Sequence, residues 1–402
     1  MHSVMPQSRF PSELVVIVAG VSAALHLGKL PPAIPALEAA LGITLLQAGF
    51  MLSLVQLAGM TMGLLVGMAA DTVGLRRSMV VGLAILAIAS LVGAEATSVS
   101  ALLTLRAAEG LGFLLVVLPA PGLIRRQVGV DKLSKRLGLW GCYMGFGTSL
   151  ALLTAPWVID AAGWQGWWRA LALISILMLV WVLLRVPADP PPKSLSHGTN
   201  TLHAPWWQRP KDTLSKPGPW LIAIIFALYS SQWLSVIGFL PSIYRQAGFS
   251  LMLIGPLTAL VALINVLGNL ASGYLLHRGI SADRLLYTGF GVMAAGTMLA
   301  FSSLTDGAPL LRYIAVLLFS MVGGVIPGVL FSLAVRLAPS EGTVSTTVGW
   351  MQQWSSLGQF AGPPLVALVA SRSGGWESTW VVTAGLSLIA ALVISRLPRL
   401  SS

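Results

Sequence analysis

Two charged pairs stand in stretches that are otherwise apolar. Arg106 and Glu109 are three residues apart within the run that begins near Ser98. His26 and Lys29 are three apart nearer the N-terminus, with Ser22 one turn earlier. Three- and four-residue spacings put side chains on one face of a helix, so each set can act as a unit. Ionised groups inside a lipid-crossing segment are expensive and mark functional positions. A guanidinium holds a carboxylate or similar anion through two parallel hydrogen bonds, which a point ammonium cannot reproduce. Glu109 and His26 add groups able to exchange a proton with a passing substrate. Bond-making chemistry has no comparable support. No Ser/His/Asp set, phosphate-cradling loop or metal-ligand cluster stands out, so no enzyme, cofactor or metal is expected.

The buried arginine recurs. Arg312 follows Arg106 at an offset of 206 (312 less 106). The same offset superposes Pro35 on Pro241, Gly42 on Gly248, Gly49 on Gly255, Gly67 on Gly273, and Pro121-Gly122 on Pro327-Gly328. A fixed offset held across several hydrophobic segments signals a duplication.

Composition sets the class of elements that must position these residues. The 402-residue chain is 56% hydrophobic and only 9% charged. Its mean hydropathy is +0.83. It divides into apolar stretches of roughly the ~20 residues that a bilayer-spanning helix needs. They fall near 14–38, 46–70, 78–96, 99–124, 137–160, 167–187, 219–243, 251–276, 285–304, 310–335, 345–369 and 378–396. The expected fold is an all-α membrane protein of twelve transmembrane helices in two pseudo-symmetric six-helix bundles. Residues 1–187 form the N-terminal bundle, 188–218 a polar linker, and 219–402 the C-terminal bundle. The first apolar run reads as a retained span, because it is long and lacks a small-residue cleavage site.

The net charge of +11 raises nucleic acid as a partner, but its distribution argues against one. Most of the Lys and Arg fall in loops on one side, the positive-inside pattern, which puts both termini in the cytoplasm. A bacterial-type inner membrane is the expected location, with lipids as the surrounding partner and the monomer as the working unit. The single cysteine, Cys142, excludes an internal disulfide. Trp164, Trp167 and Trp168 crowd one short outer loop, where an interfacial aromatic belt is expected.

The loop after the second apolar segment reads Gly67-Met-Ala-Ala-Asp71-Thr-Val-Gly74-Leu-Arg76-Arg77. It resembles the signature loop of the major facilitator superfamily, whose usual form has a basic residue where Thr72 stands. Two six-span halves in parallel duplication also describe that superfamily. The resemblance implies that Gly67, Asp71, Gly74, Arg76 and Arg77 form a conformational latch between the halves. Leu105-Arg106-Ala-Ala-Glu109-Gly110 is similar to a fourth-span motif in which Gln stands where this chain has Glu109. In drug exporters of the superfamily that arginine is linked with proton coupling; in this chain Glu109 and His26, set in a buried basic environment, are the candidate proton-coupling groups. The fifth-span Gly-Pro motif of drug/proton antiporters is not evident. The stretch from Leu27 to Pro35, with Leu41-Gly-Ile-Thr and Gln47-Ala-Gly49, resembles the cyanate/nitroimidazole permease branch.

In that superfamily the first, fourth, seventh and tenth spans mainly line the cavity, with help from the second, fifth, eighth and eleventh, and polar residues in this chain favour those helices. Tyr229, Gln232 and Trp233 form a stripe in the seventh span, and Gln232 is the repeat mate of His26. Gln353 and Trp354 form another with Trp350 in the eleventh, while Asn265 and Asn269 sit one turn apart in the eighth. At ~1.5 Å per residue, Lys29 and Glu109 lie ~15 Å deep in a ~30 Å core, with Arg106 and Arg312 one turn shallower. These four groups are expected to meet in an outward-facing vestibule. The substrate-binding set is then His26, Lys29, Arg106, Arg312, Tyr229, Gln232, Trp233, Gln353 and Trp354. Two arginines and a lysine against the single acid Glu109 leave an excess that an anionic substrate balances. The expected function is secondary transport of a small organic or inorganic anion by alternating access, with protons as a coupling partner. The alternative is a proton-linked exporter of drugs or neutral heterocycles.

Overall fold

The structure, a computed structural model, describes residues 11–63, 74–129, 136–137, 139–189, 208–340 and 343–398. Lipid offers backbone N–H and C=O groups no partner, so each crossing segment must satisfy them internally. The described elements are accordingly helices. Span 1 runs Ser12–Leu41, span 3 Leu75–Ala94, span 4 Val99–Gln127, span 7 Pro217–Gln246, span 8 Met252–His277, span 9 Ala282–Phe301 and span 10 Pro309–Leu337. Span 2 is a pair, Leu45–Leu54 and Leu57–Gly63, bent by 41°. The stretch Leu139–Arg185 has 47 residues. That makes ~70 Å of helix, more than twice the ~30 Å hydrocarbon core. Gly163 divides it with φ 71°, ψ 172°, a conformation that only glycine adopts without strain. Spans 5 and 6 result. Span 11, Val344–Ser373, and the shorter span 12, Trp380–Ile394, complete the twelve.

Local signals start and stop these helices where the sequence changes character. Thr44 and Gln47 form a reciprocal capping box at the start of span 2, and the Ser98 hydroxyl accepts from Ala101 N at the start of span 4. Gly42 ends span 1 in the left-handed conformation at φ 63°.

Apolar packing forms a core in each half and a third that joins them, in which Leu25 and Leu52 meet Phe239 and Val366. One core gathers Val15, Leu83, Val116 and Met178, and a second gathers Ile222, Phe290, Phe319 and Leu330. Small residues let the halves touch along two seams. Span 2 meets span 11 where Gly49 lies against Pro364 and Gly59 against Ser356. Gln56 Nε2 donates to Gln359 Oε1 across this seam at 2.9 Å. Span 5 meets span 8 where Gly255 faces the carbonyls of Leu152 and Leu153, and Gly145 faces Val266. Close approach through small residues is the usual device for packing helices in lipid. The linker expected over 188–218 lies largely outside the described residues and ends in a short helix, Gln208–Leu214.

Candidate functional site

Span 1 has Pro31, Pro32 and Pro35 immediately beyond Lys29. Proline supplies no backbone N–H, so carbonyls one turn earlier lose their helical partners and the helix breaks at Lys29. Two of the carbonyls beside the break are taken by side chains from other spans. His26 O accepts from Arg106 Nη1 at 2.9 Å, and Lys29 O accepts from Trp167 Nε1 at 3.2 Å. Span 2 bends beside the same point, where Met51 O accepts from Arg106 Nε at 3.1 Å. Gly110 makes this reach possible: a side chain there would collide with the carbonyl of Val55, so glycine alone lets spans 2 and 4 touch at the bend.

These contacts assemble a closed charge cluster. Glu109 Oε1 accepts from Lys29 Nζ, and Glu109 Oε2 accepts from Arg106 Nη1 at 2.5 Å. His26 Nδ1 stands 3.7 Å from Glu109 Oε1, and its Nε2 pairs with Ser175 Oγ of span 6 at 2.8 Å. Lys29 Nζ also donates to Ser90 Oγ of span 3 at 3.0 Å and lies 4.4 Å from the centre of the Trp168 ring. That position adds cation–π attraction. All four ionisable side chains are 0–2% exposed. With His26 neutral, two cations share one carboxylate and the cluster carries a net charge of +1. Arg106 Nη2 and His26 Nδ1 are buried without a hydrogen-bond partner. A buried donor left unpaired is costly and marks where another acceptor could bind.

Three of the four groups expected to converge therefore do so: Lys29, Glu109 and Arg106. They meet inside the N-terminal half, enclosed by spans 1, 2, 3, 4 and 6, and not in an open vestibule. Arg312 is the exception. It donates to Ser302 O at 2.7 Å, to Thr305 Oγ1 at 3.0 Å and to Asp306, all in the turn between spans 9 and 10. Its side chain is 30% exposed. The reason lies in its surroundings. At the repeat offset, Glu109 corresponds to Ala315 and Lys29 to Ser235. Without an acid at depth the guanidinium extends to the helix end, where Asp306 neutralises it.

The other expected contacts divide among separate places. Tyr229 and Trp233 join a neutral network in which Asn265 Nδ2 donates to Tyr229 Oη at 3.0 Å and to Ser320 O at 2.8 Å. Trp233 Nε1 donates to Ser320 Oγ at 3.3 Å. Gln232 accepts from Ser387 Oγ of span 12 at 3.0 Å. This mirrors His26 with Ser175, since each pair joins the first and last spans of its half. Gln353 Nε2 donates across the seam to Met60 O at 2.8 Å. Trp354 packs edge-on against Trp220 and Trp350.

Of the expected latch, Gly67 and Asp71 lie outside the described residues. Gly74 has φ 106° and starts span 3. The backbone amides of Arg76 and Arg77 donate to the Asp189 carboxylate at 3.1 and 3.0 Å. Arg126 Nη1 reaches the same carboxylate at 3.2 Å, and Arg76 Nη2 donates to Leu183 O at 2.6 Å. Among the described residues, Arg76 thus ties span 3 to span 6 of the same half. Asp189, which sequence reasoning placed in the linker, caps span 3 from the end of span 6. Trp164, Trp167 and Trp168 also differ from expectation. They are buried core residues, and two of them wall the charge cluster. Ser90 and Ser175 were missed as well, although each is a hydroxyl in an otherwise apolar run.

A family model described as the Major Facilitator Superfamily matches residues 14–363. The chain belongs to this superfamily. It is 24% identical over 261 residues to the cyanate transport protein of Escherichia coli strain K12, covering 64% of this chain and 64% of that protein. It is 25% identical over 370 residues to the 2-nitroimidazole transporter of the same strain, covering 90% of this chain and 88% of that one. The structure superposes with a TM-score of 0.80 on a bacterial homolog of the human lysosomal transporter Spinster in an inward-facing, occupied conformation. That likeness, at 14% identity, covers 95% of each chain and concerns the fold alone. Like other superfamily members, this protein is a multi-pass membrane transporter of a small molecule and not an enzyme.

Proposed function

We propose that this transporter carries a small anion by alternating access, with the Lys29–Arg106–Glu109–His26 cluster as its charge-bearing element. The observation that carries the reading is the buried Arg106 Nη2, left without a hydrogen-bond partner in a cluster where two basic side chains share one carboxylate. An anion that reaches Arg106 gives Nη2 an acceptor and balances the excess charge. Displaced from Arg106, Glu109 becomes free to take up a proton, which provides a route to proton-coupled symport. The relative named as a cyanate transport protein supports the class, since cyanate is a small anion. We place the protein in a bacterial-type inner membrane with both termini cytoplasmic. Reporter fusions after Arg77 and near Gly163 should report opposite sides, and the same side at both would undo that orientation.

The test is a thermal-shift screen of purified protein with cyanate, small carboxylates and 2-nitroimidazole, since a ligand that binds the folded state stabilises it. Equilibrium binding of the best anion to Arg106→Gln follows. Loss of a charge-assisted contact should weaken binding by roughly ten- to a hundredfold. Unchanged affinity in a folded, monodisperse variant would remove the anion site. A neutral heterocycle is the second reading, favoured by the long match to the 2-nitroimidazole transporter and by the internal pairing of Glu109. Stabilisation by 2-nitroimidazole and by none of the anions would establish it instead.

A further inference from the structure

A chamber of about 220 Å³ opens between the two halves, at the outer ends of their helices in the proposed orientation. It is separate from the buried cluster and uses none of its side chains. Four prolines wall it: Pro32 and Pro35 from span 1, Pro156 from span 5 and Pro241 from span 7. Pro35 and Pro241 are repeat mates, so the duplication has brought the same ring to both sides of one space. Proline has no backbone N–H to donate, and these walls present mainly C–H surface to a guest. Asp160 of span 5 and Arg245 of span 7 also line the chamber, one from each half, and both are exposed. Among the described residues no ion pair joins them.

We propose that this chamber is a second, outer binding site for a flat, singly charged ring acid. Its anionic group is held by Arg245, and a ring N–H donates to Asp160. Size supports a ring: a cavity of about 150 Å³ holds benzene, and this one has room for a small substituent besides. Guanidinium geometry favours a carboxylate. Asp160 disfavours a second negative charge and offers an acceptor, which selects a monoanionic N-heteroaromatic acid over a dianion. Because the ligand touches both halves, its binding is sensitive to their separation.

Ala36, one residue beyond Pro35, also faces the chamber and provides a reporter. In an Ala36→Cys, Cys142→Ser protein, the rate of maleimide labelling in detergent reads occupancy directly. Imidazole-4-carboxylate should slow labelling, benzoate should do so less effectively, and benzamide, which has no charge, should not protect. Arg245→Gln should raise the half-protecting concentration of imidazole-4-carboxylate by roughly ten- to a hundredfold. Arg245 is exposed, so the folded structure should tolerate this change. Arg106→Gln should leave protection unchanged, which separates this site from the buried cluster whether or not that cluster binds an anion. Absence of protection by imidazole-4-carboxylate, equal protection by benzamide, or indifference to Arg245→Gln overturns the proposal. Loss of protection in Arg106→Gln but not in Arg245→Gln overturns it equally, because binding would then belong to the cluster.

Discussion

Glu109→Gln should make the protein less stable and a better anion binder at once. The carboxylate is 1% exposed and divides its oxygens between Lys29 and Arg106. Removing one partner of a buried ion pair costs about 3–5 kcal/mol, because the remaining charge is left uncompensated. Here two cations are left, but the glutamine carbonyl still accepts from one of them, so a loss near about 3 kcal/mol is expected. The cluster's charge rises from +1 to +2, and a cationic donor becomes available to an anion. A hydrogen bond to a charged group contributes about 1.5–3 kcal/mol, so added anion should stabilise the variant more than the wild type by about that amount. Reversible unfolding in mixed micelles, with and without the anion found by screening, measures both effects. Lys29→Gln/Glu109→Gln returns the cluster to +1 and should recover part of the lost stability. A purely structural ion pair predicts the loss and the recovery but no added response to anion. Wild-type stability in Glu109→Gln would refute the electrostatic account altogether.

Asp189→Ala should lower stability by about 1–2 kcal/mol, since two amides at the start of span 3 lose their cap. Asp189→Asn should retain most of it, because an asparagine oxygen still accepts; equal losses in unfolding experiments would place the effect in the Arg126 pair instead. Arg312→Gln should leave affinity for the screened anion unchanged, because Arg312 is engaged by the Ser302–Asp306 turn. A loss of roughly tenfold or more in equilibrium binding would return Arg312 to the substrate path.

The fold was legible because lipid restricts the choices. Hydropathy locates most of the spans, the less apolar span 11 and the short span 12 being the weakest, and the break at Gly163 falls in the short loop already expected between the fifth and sixth. The meeting of Lys29, Arg106 and Glu109 was legible too, since buried ions must find one another, and His26 was placed on the helix face of Lys29 by spacing; Arg312, expected with them, was not there. Direction was not legible. Depth along a helix says nothing of which way a side chain turns, and the expected outward vestibule is a closed cluster backed by Ser90, Trp168 and Ser175. Nor did the sequence reveal that Asp189 returns to cap a helix more than a hundred residues earlier. That contact depends on tertiary placement of the end of span 6.

The duplication misled most where it looked strongest. Arg106 and Arg312 match at the same offset as the prolines and glycines, which invites the same role for both. An arginine at membrane depth, however, stays where its counter-charge is. In the N-terminal half His26, Lys29 and Glu109 surround it; at the corresponding positions the C-terminal half has Gln232, Ser235 and Ala315. The first half therefore keeps its guanidinium inside, while the second turns it toward Asp306, and the polar side chains Tyr229 and Asn265 form a neutral network with Ser320. The repeat preserves what close packing requires, namely the Gly49 and Gly255 pair at the two seams and the pairing of first span with last. It does not preserve charge, whose position depends on residues that have diverged. If transport follows the charge, the N-terminal half recognises the anion and the C-terminal half supplies the neutral wall against which it moves.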